Sequence, residues 1–412
     1  MGYVELGKLY YGDKGNYNAV YQSRLQSSDC ISLDFTIGKH PAFFIQCSEA
    51  SGLMFQILRT DKSISLLKTQ LPGIAIEQFT KRCLIDEIIL TNQIEGVHST
   101  RREISDVLND LEKKVESKHG KKRFYGLTAQ YRKLQCEADI PLKSCRDIRA
   151  LYDELVLRDV LNEETDNRPD GVFFRKDSAS VVSSTGKEIH RGIFPENAII
   201  EAVERSLALL NDENIELLYR ISIFHYLLEY IHPFYDGNGR LGRFIFSSLL
   251  RKELDSLLCY RMSYTILQNI SSYYEAFKIC NNPRNLGDVT PFVLMMLTMV
   301  QKASSQLETA LEKRNALLNK YRKAIPSLPD AMTDRMHDLY HILIQASLFA
   351  EHGISTGELT TNMKCSYTTL KKSLDAVSKN GLLIKVKVGK ENCYSLDLDR
   401  LDNQLLLNKP LS

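Results

Sequence analysis

One stretch of the 412-residue chain gathers side chains suited to phosphate chemistry: IHPFYDGNGRLGRF, residues 231–244. Arg240 and Arg243 fall in the first turn of a helical pattern, where the positive end of the helix dipole disfavours cations, so the placement expects an anion. Asp236-Gly237-Asn238-Gly239 offers the seat, because successive backbone N–H groups in such a turn curl into a nest that feeds a helix N-terminus. The two arginines, three apart, project on nearly the same face beside it. Asp236 at the mouth can hold a hard cation such as Mg2+ that bridges phosphate oxygens. His232, released from the preceding helix by Pro233, is placed to act as general base toward an incoming hydroxyl. The chemistry implied is attack of a hydroxyl on a nucleotide phosphate. Taken singly, Asp236 reads as a helix cap and His232 as a cation at a helix C-terminus. The conjunction of all these types between residues 232 and 243 favours the functional reading. Phe234 is read as an aromatic anchor that buries the loop.

HPFYDGNGRLGR resembles, at every fixed position, the signature H-P-F-x-[D/E]-G-N-G-R-x-x-R of Fic-domain (Fic/Doc) proteins. The resemblance implies a protein adenylyltransferase that moves AMP from ATP to a hydroxyl side chain (Ser, Thr or Tyr) of a target protein. It assigns catalysis to His232, Mg2+ to Asp236, and ATP phosphates to Gly237, Asn238, Gly239, Arg240 and Arg243. TNQIEG, Thr91 to Gly96, fits the inhibitory motif [S/T]-x-x-x-E-[G/N] of the same family; by resemblance, Glu95 pairs with Arg243 and blocks the productive pose of the γ-phosphate. Tyr273 and Tyr274 stand where the family often places aromatics near the adenine, with core packing as the competing reading. His225 and Glu229 occupy positions where such proteins often carry a His and a Glu, and read as structural. ATP and Mg2+ are the small molecules implied, and a protein substrate the partner. The alternatives are a DNA-binding regulator that uses the site as a nucleotide sensor, and a relative that removes AMP, with Glu95 orienting water.

The elements that must carry these residues are mainly helical. Apolar residues repeat at three and four through 79–95, which predicts a helix closed by Gly96. ENIELLYRISIFHYLLEYI is apolar nearly all round and reads as a central buried helix that stops at His232. Between 169 and 195 the period fails, and a β-hairpin with SSTG as its turn is expected; its family counterpart is a flap that clamps a target backbone beside the histidine. A further helix is expected to open at DVTPFVLMML, capped by Thr290. The fold class expected is a Fic helical bundle with a β-hairpin flap and a C-terminal winged helix-turn-helix. The division expected is 1–145 (N-terminal helical region with the inhibitory helix), 146–325 (catalytic core) and 326–412 (winged helix-turn-helix).

The last of these regions reads as three short helices followed by two strands around a Gly-Lys turn. From Lys364 to Lys390 it holds seven lysines against one acid, Asp375. Lys371 and Lys372 point outward with Thr368, while Leu370, Leu374 and Val377 form the core face. DNA and a protein partner are equally compatible with that surface, and a homodimer is a further candidate.

Composition excludes little. The formal charge is +2, with 43% hydrophobic and 25% charged residues, so any preference for an anionic partner must be local. Nine scattered cysteines with no C-x-x-C spacing suggest neither a disulfide framework nor a zinc site, and point to a reducing cytoplasm. No apolar run has membrane-spanning length, and no membrane partner is expected. GYVELGKL nearly spells a phosphate-binding loop, but Leu9 replaces the hydroxyl that would hold Mg2+.

Overall fold

The computed structural model describes residues 2–112, 122–136, 139–182, 188–328, 331–389 and 391–407. The chain divides into two compact units, one formed by residues 1–61 and 85–305 and the other by 62–84 and 306–412. The elements run α1 (Leu6–Gly12), α2 (Lys14–Gln26), β1 (Cys30–Ile37), β2 (His40–Ile45), α3 (Ser48–Thr69), α4 (Gly73–Ile94), α5 (Arg101–Glu112), α6 (Tyr125–Lys133), α7 (Cys145–Tyr152) and α8 (Arg158–Glu163). Then follow β3 (Ser180–Val182), β4 (Glu188–Arg191), α9 (Glu196–Leu210), α10 (Leu217–Ile231), α11 (Asn238–Leu250), α12 (Met262–Gln268), α13 (Ile270–Asn281) and α14 (Thr290–Ala324). The chain closes with α15 (Asp334–Phe349), β5 (Ile354–Ser355), α16 (Thr356–Asn362), α17 (Tyr367–Lys379), β6 (Leu383–Val388), β7 (Glu391–Leu396) and α18 (Leu398–Leu407). The protein is thus mainly helical with small sheets.

In the first unit, α10 packs between α9 and α11 and is buried along nearly its whole length, as its all-round apolar pattern requires. Helix α11 is buried at every position from Asn238 to Leu250, which seats the arginine-bearing turn inside the protein. The N-terminal region departs from the helical expectation. It contains the antiparallel hairpin β1–β2, in which Leu33, Phe35 and Ile37 alternate inward on β1. The hairpin is tied to the start of α14 by Ile45 N–H donating to Thr290 Oγ1 at 2.9 Å. Thr290 is therefore not the expected cap: Asp288 Oδ1 accepts from Thr290 N–H at 2.8 Å, and the threonine hydroxyl serves the hairpin. The expected hairpin around 178–193 is present as β3–β4, with its SSTG turn outside the described residues.

In the second unit, α15 buries Leu339, Leu343, Ile344 and Phe349 and packs on β7. Strand order is β5–β7–β6, all pairs antiparallel. Ser347 bridges helix to sheet by accepting from Leu396 N–H at 2.7 Å. Helix α17 presents Leu370, Leu374 and Val377 to the core, the face expected from the sequence.

Candidate active site

The histidine is positioned by the end of α10. Pro233 stops the helix, and His232 takes a left-handed backbone (φ 53°) while its N–H donates to Leu228 O at 2.9 Å. Arg175, fully buried, holds this end in place through carbonyls alone. Its Nε donates to His232 O at 2.8 Å, Nη2 to Ile193 O at 2.8 Å and Ile231 O at 3.4 Å, and Nη1 to Asp177 O at 2.5 Å. One guanidinium thereby satisfies the open carbonyls at the negative end of α10 and ties them to both ends of the β3–β4 hairpin. Ile193 N–H adds a bond to Ile231 O at 3.0 Å. Burial pushes the His232 imidazole down to about 4, helped by the charges of Arg175 and His190. It is neutral at pH 7, the form a base requires, and its Nδ1 is buried without a partner among the described residues.

The loop after His232 is anchored by an aromatic side chain. Phe234 is fully buried, stacked on Tyr152 at 3.6 Å between centroids and set edge-on to Phe174. Asn238 closes the loop on itself, its Oδ1 accepting from Phe234 N–H at 3.0 Å and its Nδ2 donating to Phe234 O at 2.9 Å. Its side chain is thus a brace, and only its N–H remains for an anion. Gly237 is left-handed (φ 82°) and packed against Val156 and Tyr152, so a side chain there is strained by conformation and crowded by its neighbours. Tyr152 donates from its hydroxyl to Asp236 O at 3.1 Å.

The two arginines differ in what they have found. Arg240 is buried, with Nη2 3.4 Å from Asp236 Oδ2 and its Nε lacking an acceptor among the described residues. An orphaned buried donor at a helix N-terminus fits an anionic ligand. Asp236 uses Oδ1 to accept from Gly237 N–H, and its side chain remains 36% exposed. That fits a Mg2+ held by one carboxylate together with substrate phosphates. No group of three or more metal-binding His, Cys, Asp or Glu side chains exists among the described residues.

Arg243 is already engaged. Its Nη2 lies 2.7 Å from Glu95 Oε1, Nε donates to Thr91 Oγ1 at 2.9 Å, and Nη2 also donates to Thr91 O at 3.0 Å. Glu95 follows the last turn of α4, just before Gly96, which has the left-handed backbone (φ 74°) of a helix end. Its carboxylate presses on Gly239 so closely that any Cβ there would collide with it. Burial pushes the Glu95 carboxyl up, but Arg243, then Arg240 and His232, pull it down further, and the net is below its ordinary value. An internal anion therefore sits at the cationic seat.

Of the aromatics expected near a base, Tyr273 is buried, its hydroxyl 2.7 Å from His225 Nε2, whereas Tyr274 is 44% exposed. Burial pushes both phenols up, and the charges of Glu95 and Glu229 add to it, so both Tyr273 and Tyr274 stand within electrostatic reach of the seat. Sequence reasoning missed Arg175, Tyr152 and Glu87. Glu87 is fully buried on α4, accepting from Ser263 N–H at 3.0 Å and Ser263 Oγ at 2.6 Å. Positions 87, 91 and 95 are spaced four apart, which sets them on one face, and for Glu87 that register was the only available signal. Arg175 carried none, since it lies in an aperiodic stretch.

Residues 143–250 match the model of the Fic/DOC family. The chain is 34% identical over 96 residues to a protein adenylyltransferase Fic of Drosophila erecta, and 33% identical over 96 residues to that of Drosophila melanogaster. Each match covers 23% of this chain and 18% of the relative, so the chain spans less than a fifth of the length of these relatives. In fold, the chain is similar to a Fic family protein from Desulfovibrio desulfuricans G20, with a TM-score of 0.52 and 19% identity, covering 89% of this chain and 98% of that one. Among the described residues, no helix is long and apolar enough to cross a membrane.

Proposed function

We propose that this protein is an adenylyltransferase that transfers AMP from ATP to a hydroxyl side chain of a target protein and is held in check by Glu95. The observation that carries the reading is the 2.7 Å pair between Glu95 and Arg243, packed on Gly239 beside a neutral His232. The seat attracts an anion strongly enough to hold one of the chain's own carboxylates, and a general base stands next to it. A nucleotide polyphosphate meets the N-terminus of α11, the unsatisfied Nε of Arg240 and the guanidinium of Arg243. The target hydroxyl oxygen then attacks the α-phosphorus, its proton passes to His232, the bond from the α-phosphorus to the bridging oxygen breaks, and pyrophosphate leaves with the electron pair. Mg2+, held by Asp236 and the phosphates, would neutralise charge on the polyphosphate. With Glu95 on Arg243 the γ-phosphate loses that cation. The same reading takes the helix–strand–helix–helix–strand–strand order of residues 334–396 as a winged helix-turn-helix.

The test is incubation with [α-32P]ATP and Mg2+ in cell lysate. Label transferred by the protein and lost in His232→Ala is the expected result. Equal label with His232→Ala would overturn the role of the imidazole, and no label from either wild type or Glu95→Gly would overturn the activity.

A further inference from the structure

Far along the chain from the nucleotide seat, α17 and β6 carry an uncompensated positive field. Lys364, Lys371, Lys372, Lys379, Lys385 and Lys387 are all exposed. None of the six makes an ion pair among the described residues; Lys385 alone has a partner, the Tyr394 ring at 5.9 Å. Elsewhere in the same unit a lysine with an acid in reach takes it, as Lys320 does with Asp402 at 2.7 Å. Two acids of the same unit are engaged, while Glu391 is exposed opposite Val388 at the end of β6. Glu358 accepts from Ser355 N–H at 2.8 Å in a capping box, and Asp397 accepts from Arg400 N–H at 2.9 Å. Asp375, in the middle of the helix face, is the only carboxylate there.

A row of solvated lysines needs no partner to be stable, so charge alone decides nothing. The shape of the carrier adds to it. Helix α17 buries Leu370, Ser373, Leu374 and Val377 and leaves Tyr367, Thr368, Lys371, Lys372, Asp375, Ser378 and Lys379 outward, a polar face with one exposed aromatic at its start. Strand β6, against which α17 packs, is the edge of its sheet, and Ile384, Lys385, Val386 and Lys387 are exposed in succession. Successive residues of a strand point to opposite faces, so from Ile384 to Lys387 both faces meet solvent, and the strand is paired with β7 from Leu383 to Val388. Apolar Ile384 and Val386 remain in water, at 40% and 39% exposure. A basic edge strand next to a basic helix face fits a surface with regular negative charge and a groove. B-form DNA has a major groove of about 12 Å, which admits a helix, whereas the deep and narrow major groove of A-form RNA does not.

The geometry points to duplex DNA as the ligand of the α17–β6 face, with Lys371, Lys372 and Lys379 on phosphates flanking the groove that receives α17 and Lys385 and Lys387 on the adjoining backbone. Thr368 and Asp375 are the groups on that helix face suited to base edges, the former toward a thymine methyl and the latter toward a cytosine amine. This site is independent of the adenylyl-transfer reading, and each can fail without the other.

The experiment is fluorescence anisotropy of the whole protein with a labelled 30-base-pair random-sequence duplex, from 50 to 200 mM KCl. Four or five neutralised phosphates predict a log–log salt slope of about −4, and removing two of the lysines a loss of about two from that slope. Lys371→Ala/Lys372→Ala and Lys385→Ala/Lys387→Ala should each weaken binding about tenfold or more, while Lys278→Ala leaves it unchanged. Absence of binding at 50 mM, equal weakening by Lys278→Ala, or equal affinity for duplex RNA or a poly-glutamate peptide in place of DNA would overturn the proposal.

Discussion

Replacing Glu95 with glycine removes the acidic partner of Arg243 and leaves the rest of the anion seat in place. Arg243 keeps its two bonds to Thr91 at 2.9 and 3.0 Å, so the guanidinium stays aimed. Glu95 lies beyond the last residue of α4, where a glycine costs the helix little. The lost interaction is a charge-assisted pair at 2.7 Å with one partner 2% exposed and the other 26% exposed. Breaking one side of a truly buried pair costs about 3–5 kcal/mol. With a quarter of Glu95 in water, the range for a hydrogen bond to a charged group, about 1.5–3 kcal/mol, is the better measure of what ATP must overcome. At about 1.36 kcal/mol per factor of ten, its removal should raise kcat/KM for ATP by about 10- to 150-fold. The assay is a time course of label transfer from [α-32P]ATP with Mg2+, with Glu95→Gly/His232→Ala as background. A Glu95→Gly protein that transfers label no faster than wild type, while still binding ATP, would refute the competition between the carboxylate and the γ-phosphate.

Phe234→Ala empties a fully buried site stacked on Tyr152, and should cost about 3–5 kcal/mol in denaturant unfolding together with loss of label transfer. Because His232 must be unprotonated to act and sits near 4, kcat/KM should hold as pH falls from 7 to about 5. Arg175→Met removes both the carbonyl tether and a charge that lowers this histidine, so the acid limb should move up; an unmoved limb in the pH–rate profile would contradict the electrostatic role. Burial and the charge of Glu95 push Glu229 up to about 8. Folded protein then keeps a proton that the unfolded chain releases, and this contribution to stability is full below about 4.5 and lost as pH rises to 8. Glu229→Gln, which cannot ionise, should gain on wild type in thermal unfolding from pH 5 to pH 8 and level off above it.

Much of the site was legible because its residues lie close together in the chain. Pro233 dictates where α10 stops, Gly237 supplies the left-handed turn, and Arg240 and Arg243 follow at helical spacing, all local rules. The stripe at 91 and 95 was legible only through resemblance, since nothing local says that a glutamate at a helix end will reach Arg243 across 148 positions of sequence. Arg175 was illegible for the same reason: its acceptors are backbone carbonyls, which carry no residue identity. Asn238 shows the converse, an adjacent residue whose side chain closes the loop through the Phe234 backbone, as an asparagine in a turn commonly does. The β1–β2 hairpin escaped because its alternation is short and followed by a β2 that is buried on both faces from Ala42 to Ile45, which reads as an undirected apolar run.

The most direct test of the central claim is calorimetric titration of Mg-ATP into the Glu95→Gly protein and into the same protein carrying Arg243→Ala. One nucleotide bound per chain by the first, and binding weakened at least tenfold in the second, is the result expected of a polyphosphate seat at the start of α11. Absence of magnesium-dependent heat in the Glu95→Gly protein, or binding indifferent to Arg243, would contradict it.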